Sequence, residues 1–160
     1  MTIRAIFAAD DNWGIGKNGT LPWPKNSADL KWFRECTDGD VVVMGRRTWE
    51  DPKLPKPLPN RYNIVVSDRG VGSFDTRPNI IIKRDKVKSY VDQFEKDVWI
   101  IGGAQLLRSA LPYVEEIWVS RIQGIFDCDT FIEVSPFEFR LYESHEYFDQ
   151  KLSIEKHRRG

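Results

Sequence analysis

Along the chain, short continuous apolar runs alternate with stretches of helical period. The runs at 3–9, 40–44, 63–67, 79–83, 98–101 and 117–122 have the length and β-branched content of buried strands. Helical spacing predicts helices over 28–37, 46–50, 86–95 and 104–111. In 86–95, Val87, Tyr90, Val91 and Phe94 share one face; Pro52 and Pro112 stop the second and fourth helices. Residues 10–25 read as a long loop rich in Gly, Asn and Pro, and 53–60, with Pro55, Pro57 and Pro59, as irregular chain. The segments 140–148 and 152–157 alternate like an antiparallel hairpin turning near Gln150 and Lys151. These elements predict a single α/β domain over 1–160. Its central β-sheet is mostly parallel, flanked by helices on both faces, with the antiparallel C-terminal hairpin at one edge.

One position breaks the helical pattern. Positions 29, 32, 33 and 36 lie on one stripe of the first helix. Trp32, Phe33 and Cys36 fill three of them, and the fourth is Asp29. Lys31, Arg34, Glu35 and Asp38 take the opposite face. A buried carboxylate costs several kcal/mol unless something pairs with it. No basic residue shares the stripe, so a ligand could supply the missing donors. The competing reading is a helix cap: Ser27 or Asp29 opens the helix, and a first-turn acid is common there.

Composition narrows the partners. Lys plus Arg and Asp plus Glu balance at 24 each, which removes any broad attraction to nucleic acid or an acidic membrane. The exception, Lys156-His157-Arg158-Arg159, reads as a solvated tail. Cys36 and Cys128 have no metal spacing and read as free thiols of a reducing cytoplasm. No signal peptide and no bilayer-length apolar run are expected. Six tryptophans and nine phenylalanines suit a well-packed globule with room for a flat ligand.

Gly14-Ile15-Gly16-Lys17-Asn18-Gly19 matches GxGxxG by letter. A dinucleotide fingerprint needs a helix to begin inside it, and Thr20-Leu21-Pro22-Trp23-Pro24 follows instead. The glycines are expected to give a mobile loop its positive φ angles. Two other turns have the right build. Ile101 runs into Gly102-Gly103 and a helix; Met44 runs into Gly45-Arg46-Arg47-Thr48 and a helix. In each, glycine lets backbone approach a ligand and the helix start offers free N–H groups. Tight packing and a solvated first turn are the plainer readings of each alone; together they point to a bound dinucleotide.

Taken in order, Gly14-Ile15-Gly16 with Leu21-Pro22-Trp23, Asp29 with Phe33, Met44 through Trp49, Pro57-Leu58-Pro59-Asn60-Arg61, Ile101-Gly102-Gly103 and Asp129-Thr130 resemble the dihydrofolate reductase family over the whole chain. The stretch from Leu106 to Ile122 looks closest to bacteriophage-type members.

The resemblance implies a monomeric, cytoplasmic enzyme that takes the small molecule dihydrofolate, uses NADPH, and needs neither metal, nucleic acid nor membrane. Asp29 would accept from the pterin 2-amino group and N3–H, and favour protonation at N5. Ser120 would support that carboxylate. Ile6, Ala8, Leu30, Phe33 and Leu58 would line the substrate pocket, and Arg61 would hold the glutamate α-carboxylate as a bidentate pair. Leu21 and Trp23 would belong to a loop that closes over the nicotinamide, with Asp129 bonding to that loop when it is closed. Ala8, Ile15, Gly16, Asn18, Gly45, Arg46, Arg47, Thr48, Ser67, Ile101, Gly102, Gly103, Ala104, Gln105, Leu107 and Thr130 would contact the cofactor.

Several positions depart from the family pattern. Gln105 stands where a basic residue is common near the 2′-phosphate, and Asp68 where a hydroxyl is common; Arg46, Arg47, Lys83 or Arg84 could supply the charge. Leu107 replaces a frequent Tyr, and 51–56 is longer than usual. Two alternatives share some of these features: a pyrimidinone reductase of the riboflavin pathway, and a non-catalytic pterin- or nucleotide-binding protein. The joint presence of Asp29, Phe33 and Arg61 argues against the first, and that of Asp29, Arg61 and Trp23 against the second.

Overall fold

A computed structural model describes residues 1–69 and 76–160. Strands β1 (Ile3–Ala9), β3 (Val41–Gly45), β4 (Tyr62–Val66), β5 (Ile80–Ile82), β6 (Val98–Gly102), β7 (Glu116–Ile122), β9 (Phe139–Tyr147) and β10 (Leu152–Arg159) form one sheet. A short ladder joins β2 (Gly14–Gly16) to β8 (Thr130–Phe131). The helices are α1 (Ser27–Thr37), α2 (Arg46–Glu50), α3 (Val87–Val91) and α4 (Ala104–Ala110).

Sheet order is β5-β4-β3-β6-β1-β7-β10-β9. The pairs from β5 through β7 are parallel; β10 turns antiparallel onto β7 and β9. The all-apolar strands follow from this topology, because both faces are covered. In β3, Val41 and Val43 face a core built with Val87, Val91, Leu106 and Ala110. Val42 and Met44 point the other way, toward Trp99 and the α1 residues Trp32, Phe33 and Cys36. The period of two thus sends alternate side chains into two separate cores. The mostly parallel sheet and the antiparallel hairpin stand as the sequence implies.

The differences are local. The α1 cap is Asn26, not Ser27 or Asp29: its Oδ1 accepts from Asp29 N at 3.0 Å. The third helix is shorter than 86–95. A 3-10 turn at Arg84–Lys86 leads into it and it stops at Val91, although Phe94 still packs on the core. The basic C-terminus is no solvated tail. Lys156 through Arg159 lie within β10, with Lys156 Nζ 4.0 Å from the Trp118 ring centre and Arg159 N donating to Glu115 O.

The segment 10–25 contains β2, which a purely irregular reading misses. Gly19 is the one glycine of the GxGxxG run with positive φ, at 80°; Trp13 and Asn18 adopt the left-handed region instead. Gly14 is required for space. A Cβ there would collide with Cys128 Sγ and Cβ and come within 3.0 Å of Asp10 Oδ1. Gly14→Ala is therefore expected to destabilise the protein by about 1–3 kcal/mol, read as a lower melting temperature. Gly14→Ala with Cys128→Gly should recover much of the loss; a single variant that melts like the parent would refute the clash.

Candidate active site

Asp29 sits on the first turn of α1, half-buried, with its stripe turned to the sheet. Trp32 stacks on Trp118 of β7 at 6.1 Å between ring centres, and Phe33 packs in the same cluster. One residue pair along β7 from Trp118 is Ser120, buried, whose hydroxyl donates to the Asp29 carboxylate. Burial raises the Asp29 pKa, and the Ser120 bond pulls it back only partly. The cap reading and the buried-acid reading both miss half of this. Asp29 gives its backbone N–H to the cap and keeps its carboxylate on the apolar side.

Around this acid, Ile6 is buried in the same cluster as Leu58, while Ala8 packs with Trp23 and Ala28. Leu30 and Leu21 are about half exposed. Trp23 is nearly buried and meets Phe126 edge-on at 5.8 Å. Leu58 is held by Asn63: Leu58 N donates to Asn63 Oδ1 at 2.9 Å, and Asn63 Nδ2 donates to Leu58 O and Arg61 O. Sequence reading does not find Asn63, because its role depends on a fold-back of five residues. Nor does it find Thr37. Arg61 Nη1 donates to Thr37 Oγ1 at 3.0 Å and Arg61 Nε to Pro59 O at 2.8 Å. Those bonds fix the guanidinium and leave other N–H groups for a carboxylate. Partial burial lowers the Arg61 pKa, opposed by Asp38.

The two glycine turns meet. Met44 is in register with Gly102, and the backbone of Gly45 lies against that of Gly102 and Gly103. Gly102 has φ 132°, a conformation L side chains rarely adopt, and the Gly102–Gly103 peptide is cis. Ile101 joins the α1-side cluster, and Ala104 opens α4. Arg46 Nε pairs with Glu50 at 3.2 Å; Arg47 is exposed and Thr48 half-buried. Ser67 is buried at the end of β4, where its N–H bonds Ile82 O. Beyond it Asp68 Oδ1 accepts from Arg84 N at 3.0 Å, so this acid is occupied by the 3-10 turn. Arg84 Nη2 donates to Gln105 Oε1 at 3.3 Å. Asp68, Lys83, Arg84 and Lys88 line an open groove of about 670 Å³. Leu107 is sealed in the opposite core.

The loop 10–25 is anchored by Asp10, which sequence reading passes over. Its buried carboxylate accepts from the N–H of Asn12, Gly14 and Phe126. Burial acts to raise its pKa, but these bonds outweigh that and hold it low. Asn18 N donates to Asp129 Oδ2 at 2.9 Å, Asp129 N to Gly16 O, and Thr130 Oγ1 to Asp129 Oδ1. Ile15 packs on the core beside Gly16. Asp129 thus does bond to the loop. Among the described residues no group of His, Cys, Asp and Glu could hold a metal, both cysteines are free, and no helix is long and apolar enough to cross a membrane.

Comparison with known proteins agrees with this geometry. A profile of the family described as "Dihydrofolate reductase" matches residues 2–158. The chain is 34% identical to the dihydrofolate reductase of Enterococcus faecium, covering 89% of this chain and 84% of that one. It is 36% identical to the bifunctional dihydrofolate reductase-thymidylate synthase of Glycine max over 88% of its own length, and spans only 29% of that longer protein. A solved dihydrofolate reductase from Enterococcus faecalis, complexed with NADP(H), superposes with a TM-score of 0.86 at 28% identity, covering 99% of this chain and 96% of that one.

Proposed function

This chain belongs to the dihydrofolate reductase family, and from that premise we propose that it catalyses NADPH-dependent reduction of 7,8-dihydrofolate to 5,6,7,8-tetrahydrofolate. The observation that carries the reading is Asp29. Its half-buried carboxylate stands in an apolar stripe with the Ser120 hydroxyl as the hydrogen-bond partner acting on it. The pterin's amino and N3–H groups complete its bonding. Its negative charge then stabilises a proton at N5, and C6 becomes more electron-poor. NADPH, when bound, supplies the hydride that C6 accepts.

The chain's other residues bind and orient. Ile6, Ala8, Leu30, Phe33 and Leu58 line the apolar pocket, and Arg61, held by Thr37, takes the α-carboxylate of the tail. Gly45, Gly102 and Gly103 allow backbone to approach the dinucleotide, with Arg46, Arg47 and Thr48 at its phosphates; Gly102's positive φ fits such a cradle. Trp23, Leu21, Ile15, Gly16 and Asn18 exclude water from the nicotinamide side. The reading is of a monomer that acts on a small-molecule substrate.

The deciding assay is loss of nicotinamide absorbance on mixing protein, NADPH and dihydrofolate, with NADH in parallel. Turnover supports the reading. Protein that melts later with NADPH yet turns nothing over would point to a binding protein or a riboflavin-pathway reductase.

The adenosine end makes its own prediction. Arg84 presents its guanidinium to Gln105, and Asp68 holds the Arg84 backbone in place. Arg84→Ala should raise the KM for NADPH about 5- to 20-fold and leave that for NADH within about twofold. Equal effects on both cofactors would remove Arg84 from 2′-phosphate recognition.

A further inference from the structure

We propose that Asn26 is a positioning residue for Asp29, tying the turn of the β9–β10 hairpin to the first turn of α1. The proposal rests on the role given to Asp29 above, and two geometric facts support it. Asn26 Oδ1 accepts the backbone N–H of Asp29 itself, at 3.0 Å. Asn26 Nδ2 donates to the carbonyl of Gln150, 124 positions away in sequence, at 2.8 Å. One side-chain amide therefore spans both partners, using its acceptor toward the helix and its donor toward the hairpin.

The far anchor is itself well held. Phe148–Gln150 form a 3-10 turn that closes through Lys151, with φ 52°, and Lys151 N donates to Phe148 O. Lys151 O accepts from Gln123 N, just past β7, the strand that carries Ser120. Below the turn, Leu152 and Ile154 of β10 pack with Trp23 and Ile122, and Ala28 and Trp32 of α1 lie against them. In register, Ile154 faces Ser120 directly. Asp29 and Ser120 thus hang from one framework, and Asn26 sets the Asp29 side of that pair.

An N-cap alone would do less. A serine at position 26 keeps an acceptor for Asp29 N but has no second arm for Gln150 O. An alanine loses both. Cap and tie can therefore be separated with two variants, Asn26→Ser and Asn26→Ala.

The groups that act on Asp29 are few. Ser120 faces it from β7; among the described residues no charged side chain contributes to its shift. Cys36 lies farther along the same stripe of α1 and senses Asp29, together with Glu35 of α1, Lys156 of β10 and Arg4 of β1. A change in the Asp29 titration on substitution at 26 therefore reports its hydration and its Ser120 bond.

The test pairs three readouts on the full chain. The Asn26→Ser protein should melt close to the parent, and Asn26→Ala lower, because the cap is lost. Both should lose about fivefold or more in kcat with dihydrofolate and NADPH, with the KM for NADPH unchanged. The Asp29 carboxyl, followed by carbon NMR across pH without substrate, should titrate lower in both variants as water reaches it. Asn26→Ser with the parent's kcat and the parent's Asp29 titration would overturn the proposal, leaving Asn26 a cap only. The NMR arm does not depend on turnover: an inactive parent would count against the reductase reading, while an unchanged Asp29 titration would count against the tie.

Discussion

Asp29→Asn is expected to lower turnover of dihydrofolate on the order of 100-fold at neutral pH while leaving NADPH affinity unchanged. Asparagine matches the shape but brings no charge to favour a proton at N5. It also presents a donor where the pterin needs acceptors. The same substitution should make the unliganded protein at least as stable as the parent. The folded state raises the Asp29 pKa by burial, so it binds the proton more tightly than the unfolded chain, whose value stays near 3.9. For a raised acid the stability contribution is full below the unfolded pKa. It is lost as pH rises through the folded value. At pH 7 the ionised carboxylate is therefore a cost to the empty protein, and asparagine removes it. Thermal melts of both proteins at pH 4 and pH 7 check this: the variant's advantage should grow with pH. Full activity in Asp29→Asn would refute the role assigned to the acid.

The second large effect belongs to Arg61. Arg61→Leu should raise the KM for dihydrofolate about 10- to 100-fold, the loss of a charge-assisted pair worth about 1.5–3 kcal/mol. The KM for NADPH should hardly move. Arg61→Lys should recover little, because a point charge does not reproduce the planar fork that Thr37 and Pro59 orient. Thr37→Val, which removes the acceptor for Arg61 Nη1, should give a smaller rise of the same kind. If the two substrates respond equally to Arg61→Leu, the arginine supports the fold and not the substrate tail.

Much of this architecture is legible because it obeys a period. The α1 stripe of Asp29, Trp32, Phe33 and Cys36 is found half-buried, and Lys31, Arg34, Glu35 and Asp38 exposed, as a repeat of 3.6 requires. The strands of Val and Ile are legible for a different reason, as short continuous apolar runs covered on both faces. What stays hidden is aperiodic or distant. The β2–β8 ladder involves too few residues to leave a pattern, and its partners lie more than a hundred positions apart. Asp10 looks like any loop acid until Phe126 N is folded onto it. Asn26 is outranked on paper by Ser27, an equally good capping type, because the choice depends on where Gln150 lies. The basic tail misleads because cations are usually solvated, whereas Lys156 here covers an indole. At the site, residue types single out the acid and the arginine as candidates; Thr37 and Asn63, which hold Arg61 and Leu58, emerge only in three dimensions.

The position of β1 carries a consequence for how the chain is made. It leaves a ribosome well before its neighbours in the sheet, β6 and β7: Ile3 pairs with Val98, 95 positions later. Until that point is synthesised, Ile3, Ala5, Ile6 and Ala9 have no strand to join. Growing at roughly 5–20 residues per second, the chain carries this sticky segment unpaired for several seconds. Cotranslational folding cannot start from β1 and proceed outward; the centre of the sheet closes late, and partner-strand delivery sets its pace. Slowing translation would lengthen the exposure rather than help, so rare codons before position 98 should lower soluble yield and increase dependence on chaperones that shield nascent chains.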